Sequence, residues 1–268
     1  MRILVLVEDT VRFDVPGLRG EHGISLLIEH AGKRLLFDVG QSGLFIDNAR
    51  LLGASLDSID ALVLSHGHYD HTGGLPNAID LLEGRGTRLV AHPEVFEAKV
   101  RENGESIGSP IGFSEAEKAF NLELTAELLE LGNGIYFTGE VPQDYERPEP
   151  LGYRLRDGAR IPDELRDDAS LIFDTEEGAI VVTGCAHAGI VNIARYAADV
   201  TGKPVHALVG GFHLVNASEE RLTRTVAAFK EMEVDRILPG HCTGHVAVCR
   251  LAAELGAQKI DTGSVIDL

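Results

Sequence analysis

The segment His66-Gly67-His68-Tyr69-Asp70-His71 follows directly on the apolar run Ala61-Leu62-Val63-Leu64-Ser65, so three imidazoles and a carboxylate fall within six residues. A hydrophobic core has no use for such a cluster. The chain must therefore fold so that these groups collect where a strand ends. In a buried strand, residues two apart share a face, which lets His66 and His68 converge on one metal ion as the chain leaves the sheet. Asp70 and His71 then lie on the following turn and approach from another direction, serving a second ion. Thr72-Gly73-Gly74-Leu75 lets the backbone turn sharply before a helix expected over Pro76 to Leu82. Any one of these histidines alone would read as a surface residue or a hydrogen-bonded core imidazole. Together, neutral imidazole and carboxylate form a donor set suited to zinc, manganese or iron, and without a cation the four groups would repel or desolvate one another.

Three more segments set a histidine just behind an apolar strand: Ile180 to Thr183 before Gly184-Cys185-Ala186-His187, Val209-Gly210-Gly211-Phe212-His213, and Ile237-Leu238-Pro239-Gly240-His241-Cys242. Ligands gather at strand ends in α/β folds, so His187 and His241 read as metal ligands. His213 is either a ligand or a substrate contact, because Gly210 and Gly211 let backbone approach a bound molecule closely. Cys185 has two readings, a thiolate ligand or an inert small hydrophobe. Asp38, at the end of Leu35-Leu36-Phe37, is placed to orient a ligand imidazole. His22 faces the site or solvent. His30, His92, His206 and His245 have no such context and read as structural or surface residues.

The remaining pattern alternates strands and helices. Strands are expected over Arg2 to Val7, Ile24 to Glu29, Arg34 to Asp38, Arg88 to Ala91, Ser170 to Asp174, Ala179 to Thr183, His206 to Val209 and Arg236 to Leu238. Helices are expected over Leu44 to Leu52, Glu94 to Glu102, Ile190 to Val200, Glu219 to Glu231 and Val246 to Leu255. That order fits two sheets packed face to face with helices outside. At 268 residues and 44% hydrophobic composition, a single domain over 1–268 is the expectation. Asn103 to Arg166, weakly periodic and broken by Gly and Pro, reads as an insertion or lid.

With 24 Lys plus Arg against 42 Asp plus Glu, the net charge is −18, which disfavours nucleic acid and anionic membranes as partners. No basic patch interleaved with aromatics offsets this. The apolar N-terminus is too short for a signal peptide or membrane span and reads as a first strand, so a cytoplasmic protein is expected. Three cysteines, Cys185, Cys242 and Cys249, then read as reduced thiols, with Cys249 a small core residue of a helix.

The His66 to His71 segment resembles the defining motif of the metallo-β-lactamase superfamily. Phe37 to Gly43, Leu64 to Leu75, Thr138-Gly139-Glu140-Val141-Pro142, Thr183 to Asn192, Gly210 to Leu214 and Pro239 to Gly244 extend the resemblance to one subgroup over nearly the whole chain. That subgroup is named for 7,8-dihydropterin-6-yl-methyl-4-(β-D-ribofuranosyl)aminobenzene 5'-phosphate synthase. The resemblance implies an α/β fold, an αββα four-layer sandwich with a one- or two-metal site at one sheet edge. It implies His66, His68 and His187 around one ion, with Asp70, His71 and His241 around the other. Two departures stand out: Cys185 replaces the bridging Asp common in the superfamily, and a histidine usual near Ser170 is missing, with Asp167 and Asp168 in its neighbourhood. Asp168 is therefore a second candidate for a supporting role behind the ligands. Gln143 follows Pro142 where relatives often carry Arg, removing a basic contact to a substrate phosphate.

The expected activity is that of a metal-dependent enzyme in which one or two divalent ions lower the pKa of bound water from about 16 to near 7. Zinc leads the candidates. The substrate is expected to be a phosphorylated or pyrophosphorylated small molecule, with Asp70 holding the attacking water and His213 donating to substrate or leaving group. The subgroup's name implies instead a condensation with pyrophosphate as the leaving group, and phosphodiester or other ester hydrolysis needs the same cations. A non-catalytic metal-binding or sensing domain is the rival from another class.

Overall fold

The computed structural model describes residues 1–147 and 150–268. They group into two compact units with interleaved sequence: Met1–Ala126, Glu149–Asp167 and Asp261–Leu268 in the first, Glu127–Pro148 and Asp168–Ile260 in the second.

The first unit is built on a seven-stranded sheet ordered Val265–Asp267, Arg2–Val7, Ser25–His30, Lys33–Phe37, Ala61–Val63, Arg88–Ala91, Asn121–Leu124. Its first three pairings are antiparallel and its last three parallel. The parallel strands are apolar without alternation, as sheets buried on both faces require: Leu35, Leu36 and Phe37, then Ala61, Leu62 and Val63, are all 3% exposed or less. Helices Leu44–Leu51 and Leu75–Leu82 cover one face, burying Phe45 and Ala49 four apart and Leu75, Ala78 and Leu82 at the spacing of one helical stripe.

The second unit repeats the plan in the same chain order, antiparallel strands before parallel ones. Its six-stranded sheet runs Arg236–Gly240, Val205–Gly211, Ala179–Thr183, Ser170–Asp174, Ile135–Phe137, Leu129–Gly132, with two parallel pairings followed by three antiparallel ones. Helices Ile190–Thr201, Glu219–Glu231 and His245–Leu255 accompany it, with Ile190, Ile193, Ala194 and Ala197 in the same core as Val181 and Leu208. Ser218 caps the middle helix by accepting from Arg221 N at 3.1 Å. The strands ending at Phe37, Val63, Thr183, Gly211 and Gly240 each deliver their C-terminal end to a loop, and those loops carry the candidate site residues.

Two expectations are corrected. No helix forms over Glu94 to Glu102: Pro93–Phe96 is a single 3₁₀ turn, capped by His92 Nδ1 accepting from Glu94 N at 3.1 Å, and Ala98–Val100 then enters a three-stranded sheet with Tyr153–Arg156 and Ala159–Pro162. Strand pairing with a segment fifty residues away overrides the local helical pattern. Cys249 is not a core residue; it is exposed on its helix, its Sγ 3.6 Å from His245 Nε2. Among the described residues no disulfide joins Cys185, Cys242 or Cys249.

Asn103 to Arg166 contains helix Phe113–Ala119 and strands of all three sheets. Its weak periodicity has a local cause in Ala159–Pro162, which is exposed along its whole length and so has no buried face to alternate with.

Candidate metal centre

Ala61–Val63 ends and the chain passes Leu64, whose N–H donates to Val90 O at 3.0 Å, before reaching Ser65 and His66. Asp38, at the end of the neighbouring parallel strand, organises this loop. Fully buried, it accepts from Ser65 N at 2.7 Å, from Ser65 Oγ at 2.7 Å and from His71 Nδ1 at 2.7 Å. This network assigns the tautomers. A carboxylate only accepts, so His71 Nδ1 carries the proton and Nε2 the lone pair. Ser65 spends its one proton on Asp38, so at 2.9 Å its oxygen accepts from His66 Nδ1, leaving the lone pair of His66 on Nε2 as well.

His66 Nε2 lies 2.9 Å from His68 Nδ1. Burial pushes the His68 pKa down to about 4, so its imidazole is neutral near pH 7 and has a lone pair to offer. Asp70, 7% exposed, has Oδ2 3.6 Å from His71 Nε2. His22 meets the same carboxylate, with Nε2 3.3 Å from Asp70 Oδ2 and Nδ1 3.0 Å from Asp9 Oδ2. With half its side chain exposed, His22 stands at the rim. Three imidazoles and a carboxylate, with nitrogens turned toward one another in a buried space, fit a divalent cation by donor chemistry and by tautomer.

Gly73 and Gly74 are there for a reason other than a sharp turn. Both have ordinary helical backbone angles, but a Cβ on Gly73 would lie 2.3 Å from Gln41 O, and one on Gly74 2.3 Å from Val39 O. Close packing of the ligand loop against the Asp38 loop selects glycine.

The second unit presents its groups from three separate strand ends. Cys185, 3% exposed, and His187, 3% exposed, follow Ala179–Thr183; His213 follows Val205–Gly211; His241 follows Arg236–Gly240. One donor atom each from Cys185, His187 and His213 lie within 4.8 Å of one another, and the rings of His187 and His213 are 4.2 Å apart. Asp168 supports this unit through the backbone: its Oδ2 accepts from Ala188 N at 2.9 Å, fixing the turn after His187. Asn192, which sequence reasoning passed over, grips the same turn by donating to Ala188 O at 2.7 Å. Cys242 donates to Cys185 O at 3.4 Å; burial opposes its ionisation, but the Cys185 thiol and the imidazoles of His241 and His213 bring its pKa well below the ordinary thiol value. Gly210 and Gly211 meet protein rather than ligand, since a Cβ would fall 2.1 Å from Thr183 O and 2.3 Å from Gly184 O respectively.

Four residues at these strand ends hold a left-handed backbone without being glycine: Asp38 (φ 55°), Ala186 (φ 58°), His213 (φ 46°) and His241 (φ 46°). Each such angle costs on the order of 1–3 kcal/mol and persists only where neighbours enforce it. The enforcing bonds are in place. Asp38 O accepts from Ser25 Oγ at 2.9 Å, His213 O from Arg221 Nη1 at 3.1 Å, and Thr243 Oγ1 spans Gly240 O at 2.6 Å and Phe212 N at 3.1 Å.

Sequence reasoning also missed the roles of Ser65, Lys99 and Asp167. Lys99 is wholly buried, its Nζ donating to Asp163 Oδ2 at 2.7 Å and Asp167 Oδ1 at 3.0 Å. Burial alone would lower the Lys99 pKa, but the two carboxylates outweigh it and keep the ammonium charged. No local pattern betrays a buried lysine, because its partners are over sixty residues away.

Mixed α/β sheets whose parallel strands end in buried imidazoles define the class, and the chain belongs to the metallo-β-lactamase superfamily, whose family model matches residues 19–241. The chain has the superfamily fold, which implies divalent metal ions. Within it, the chain is 33% identical over 263 residues to the 7,8-dihydropterin-6-methyl-4-(beta-D-ribofuranosyl)-aminobenzene-5'-phosphate synthase of Methanocaldococcus jannaschii, covering 92% of this chain and 89% of that protein. It is 37% identical over 240 residues to the uncharacterized protein MJ0448 of the same organism, covering 87% of this chain and 88% of the relative. The crystal structure of Tm1679, a metal-dependent hydrolase of the beta-lactamase superfamily, superposes with a TM-score of 0.87 at 32% identity, covering 100% of this chain and 99% of that one. Among the described residues no helix is long and apolar enough to cross a membrane.

Proposed function

We propose that this chain is a metal-dependent enzyme acting on a phosphorylated or pyrophosphorylated small molecule. The observation that carries the reading is the tautomer lock: Asp38 and Ser65 engage His66 and His71 through Nδ1, leaving Nε2 as the nitrogen that can ligate, in a chain similar along its length to a synthase whose product is a phosphate ester. On this reading His66, His68, Asp70 and His71 are the metal ligands of the first unit and His187 and His241 those of the second, with Cys185 as a candidate ligand where a bridging carboxylate is usual. Zinc is the first candidate, followed by manganese and iron. Bound ions would polarise a phosphoryl oxygen and activate either water or a pyrophosphate leaving group.

The protein's own groups do the rest. Asp70 takes a proton from the attacking group and stays oriented by His22, which Asp9 anchors from behind. His213 stands beside His187 with a buried Nδ1 that makes no hydrogen bond among the described residues, which suits it to donate to substrate. A net charge of −18 makes the ions the local attraction for an anionic substrate.

Hydrolysis is the second reading, favoured by the likeness to Tm1679, which carries the description of a hydrolase. Purified protein loaded separately with zinc, manganese or iron is to be assayed on a dihydropterin pyrophosphate with a ribosylaminobenzene phosphate, and on a phosphodiester. Condensation supports the synthase reading. Phosphodiester turnover without condensation replaces it with hydrolysis, and no metal-dependent turnover on either would favour a sensing domain.

A further inference from the structure

The buried ion cluster of Lys99 touches the ligand loop at one atom. Asp167 accepts from Lys99 Nζ through Oδ1 at 3.0 Å and from the backbone N–H of Gly67 through Oδ2 at 2.8 Å. Gly67 is the residue between His66 and His68. The fit there is tight: a Cβ on Gly67 would lie 2.3 Å from Val95 O and 3.0 Å from Lys99 Cε. The loop that follows the Lys99 strand grips the ligand loop a second time, as Tyr69 N donates to Ile107 O at 3.0 Å while Ile107 N donates to Lys99 O at 2.9 Å. Two residues bonded to Lys99, Asp167 and Ile107, therefore hold the loop on both sides of His68.

A lysine with no exposed surface is a costly way to fill space, since taking an ion out of water carries a penalty that only well-placed partners offset. Asp163 and Asp167 are both fully buried beside it, yet only Asp167 reaches the loop; Asp163 instead accepts from Leu165 N at 3.0 Å, within its own turn. The two carboxylates thus share Lys99 and differ in what lies on their far side.

We infer that Asp167, held by Lys99, is a positioning residue for the metal centre: it fixes the Gly67 backbone so that His66 and His68 keep their mutual geometry whether or not an ion is bound. This rests on the proposal that His66 and His68 are ligands. A backbone N–H in the same place could be satisfied by water, so the charged, buried anchor matters for rigidity and not for hydrogen-bond count alone.

The test compares Asp167→Asn with Asp163→Asn in the full chain. Both remove one negative charge from Lys99. Only the first forces Lys99 and Gly67 to compete for a single amide oxygen. Zinc dissociation constants are measured by competition with a chromophoric chelator, and melting temperatures are measured metal-free. The expected result is a fall in melting temperature for both, with zinc affinity lowered about 10- to 100-fold in Asp167→Asn and by less than about threefold in Asp163→Asn, the range known for residues behind metal ligands. Equal affinity losses, or none, would overturn the inference. Amide hydrogen exchange in the metal-free wild type needs no variant: Gly67 and Tyr69 should exchange only with global unfolding, and fast exchange at Gly67 would reject a preset loop. A wild type that takes up no zinc defeats the ligand reading; a wild type that binds zinc, with Asp167→Asn unchanged, defeats this one alone.

Discussion

The two units prepare their candidate metal ligands by different means. In the first, His66, His68, Asp70 and His71 arrive in one short stretch, and buried carboxylates do the aligning: Asp38 holds Ser65 and His71, and Asp167 holds Gly67. In the second, Cys185, His187, His213 and His241 come from three strand ends; a buried carboxylate, Asp168, fixes only the turn after His187, and left-handed loop backbone aligns the rest. Ala186, His213 and His241 all occupy left-handed angles. One half is held by charge and hydrogen bonds that a single side-chain change removes. The other is held by loop conformation, spread over many small contacts.

That contrast can be broken first at the ligands. His68→Ala should abolish metal-dependent turnover, and dialysis against a chelator should do the same to the wild type, with activity restored by adding back the ion. Retention of substantial activity by the folded variant would remove His68 from the site. Asp70→Asn should keep the fold and lose about 10²- to 10⁴-fold in kcat, the span for loss of a positioned base; an unchanged kcat would leave Asp70 without a role in proton transfer.

The supporting residues sharpen the comparison. Asp38→Ala should lower zinc affinity about 10- to 100-fold, because His71 loses its tautomer lock and Ser65 its partner. Asp168→Ala, the nearest counterpart in the second unit, should cost mainly stability, about 1–3 kcal/mol for the buried Ala188 N–H it leaves unmet, with affinity within about threefold of wild type. Isothermal titration and chemical denaturation on both variants measure these values. Reversed magnitudes would mean that backbone, and not carboxylate, governs the first unit.

A further effect concerns pH. His68 is depressed from its ordinary 6.5 to about 4 by burial, so between those values the unfolded chain binds a proton that the folded chain refuses. Its contribution is fully present above about pH 6.5 and is lost as pH falls toward 4, up to roughly 3 kcal/mol for a shift of this size. Urea denaturation of metal-free protein across that range should show the slope in wild type and a shallower one in His68→Gln. Identical slopes would place the titration elsewhere.

Legibility in the sequence divides along the same line. The cluster from His66 to His71 stood out because its members are neighbours, and the apolar runs before it, before Cys185 and before His241 marked strands. Asp38 was readable as an orienting carboxylate from its place at a strand end. Lys99 was not, since a helical pattern over Glu94 to Glu102 hid a strand whose ionic partners lie beyond residue 160. Nor were the left-handed angles at His213 and His241, because L-residues rarely adopt them and only surrounding structure imposes them. Glycines were legible as necessary but not for the right reason: Gly73 and Gly210 answer to backbone packed against them.

The central claim is that imidazoles preset by Asp38 and Ser65 bind divalent metal. Elemental analysis of wild type and of His68→Ala, purified identically without chelator and then titrated with zinc, tests it most directly. The account predicts one to two ions per wild-type chain and a clear loss in a variant whose circular dichroism is unchanged. A folded wild type that neither retains nor takes up a transition ion would contradict it.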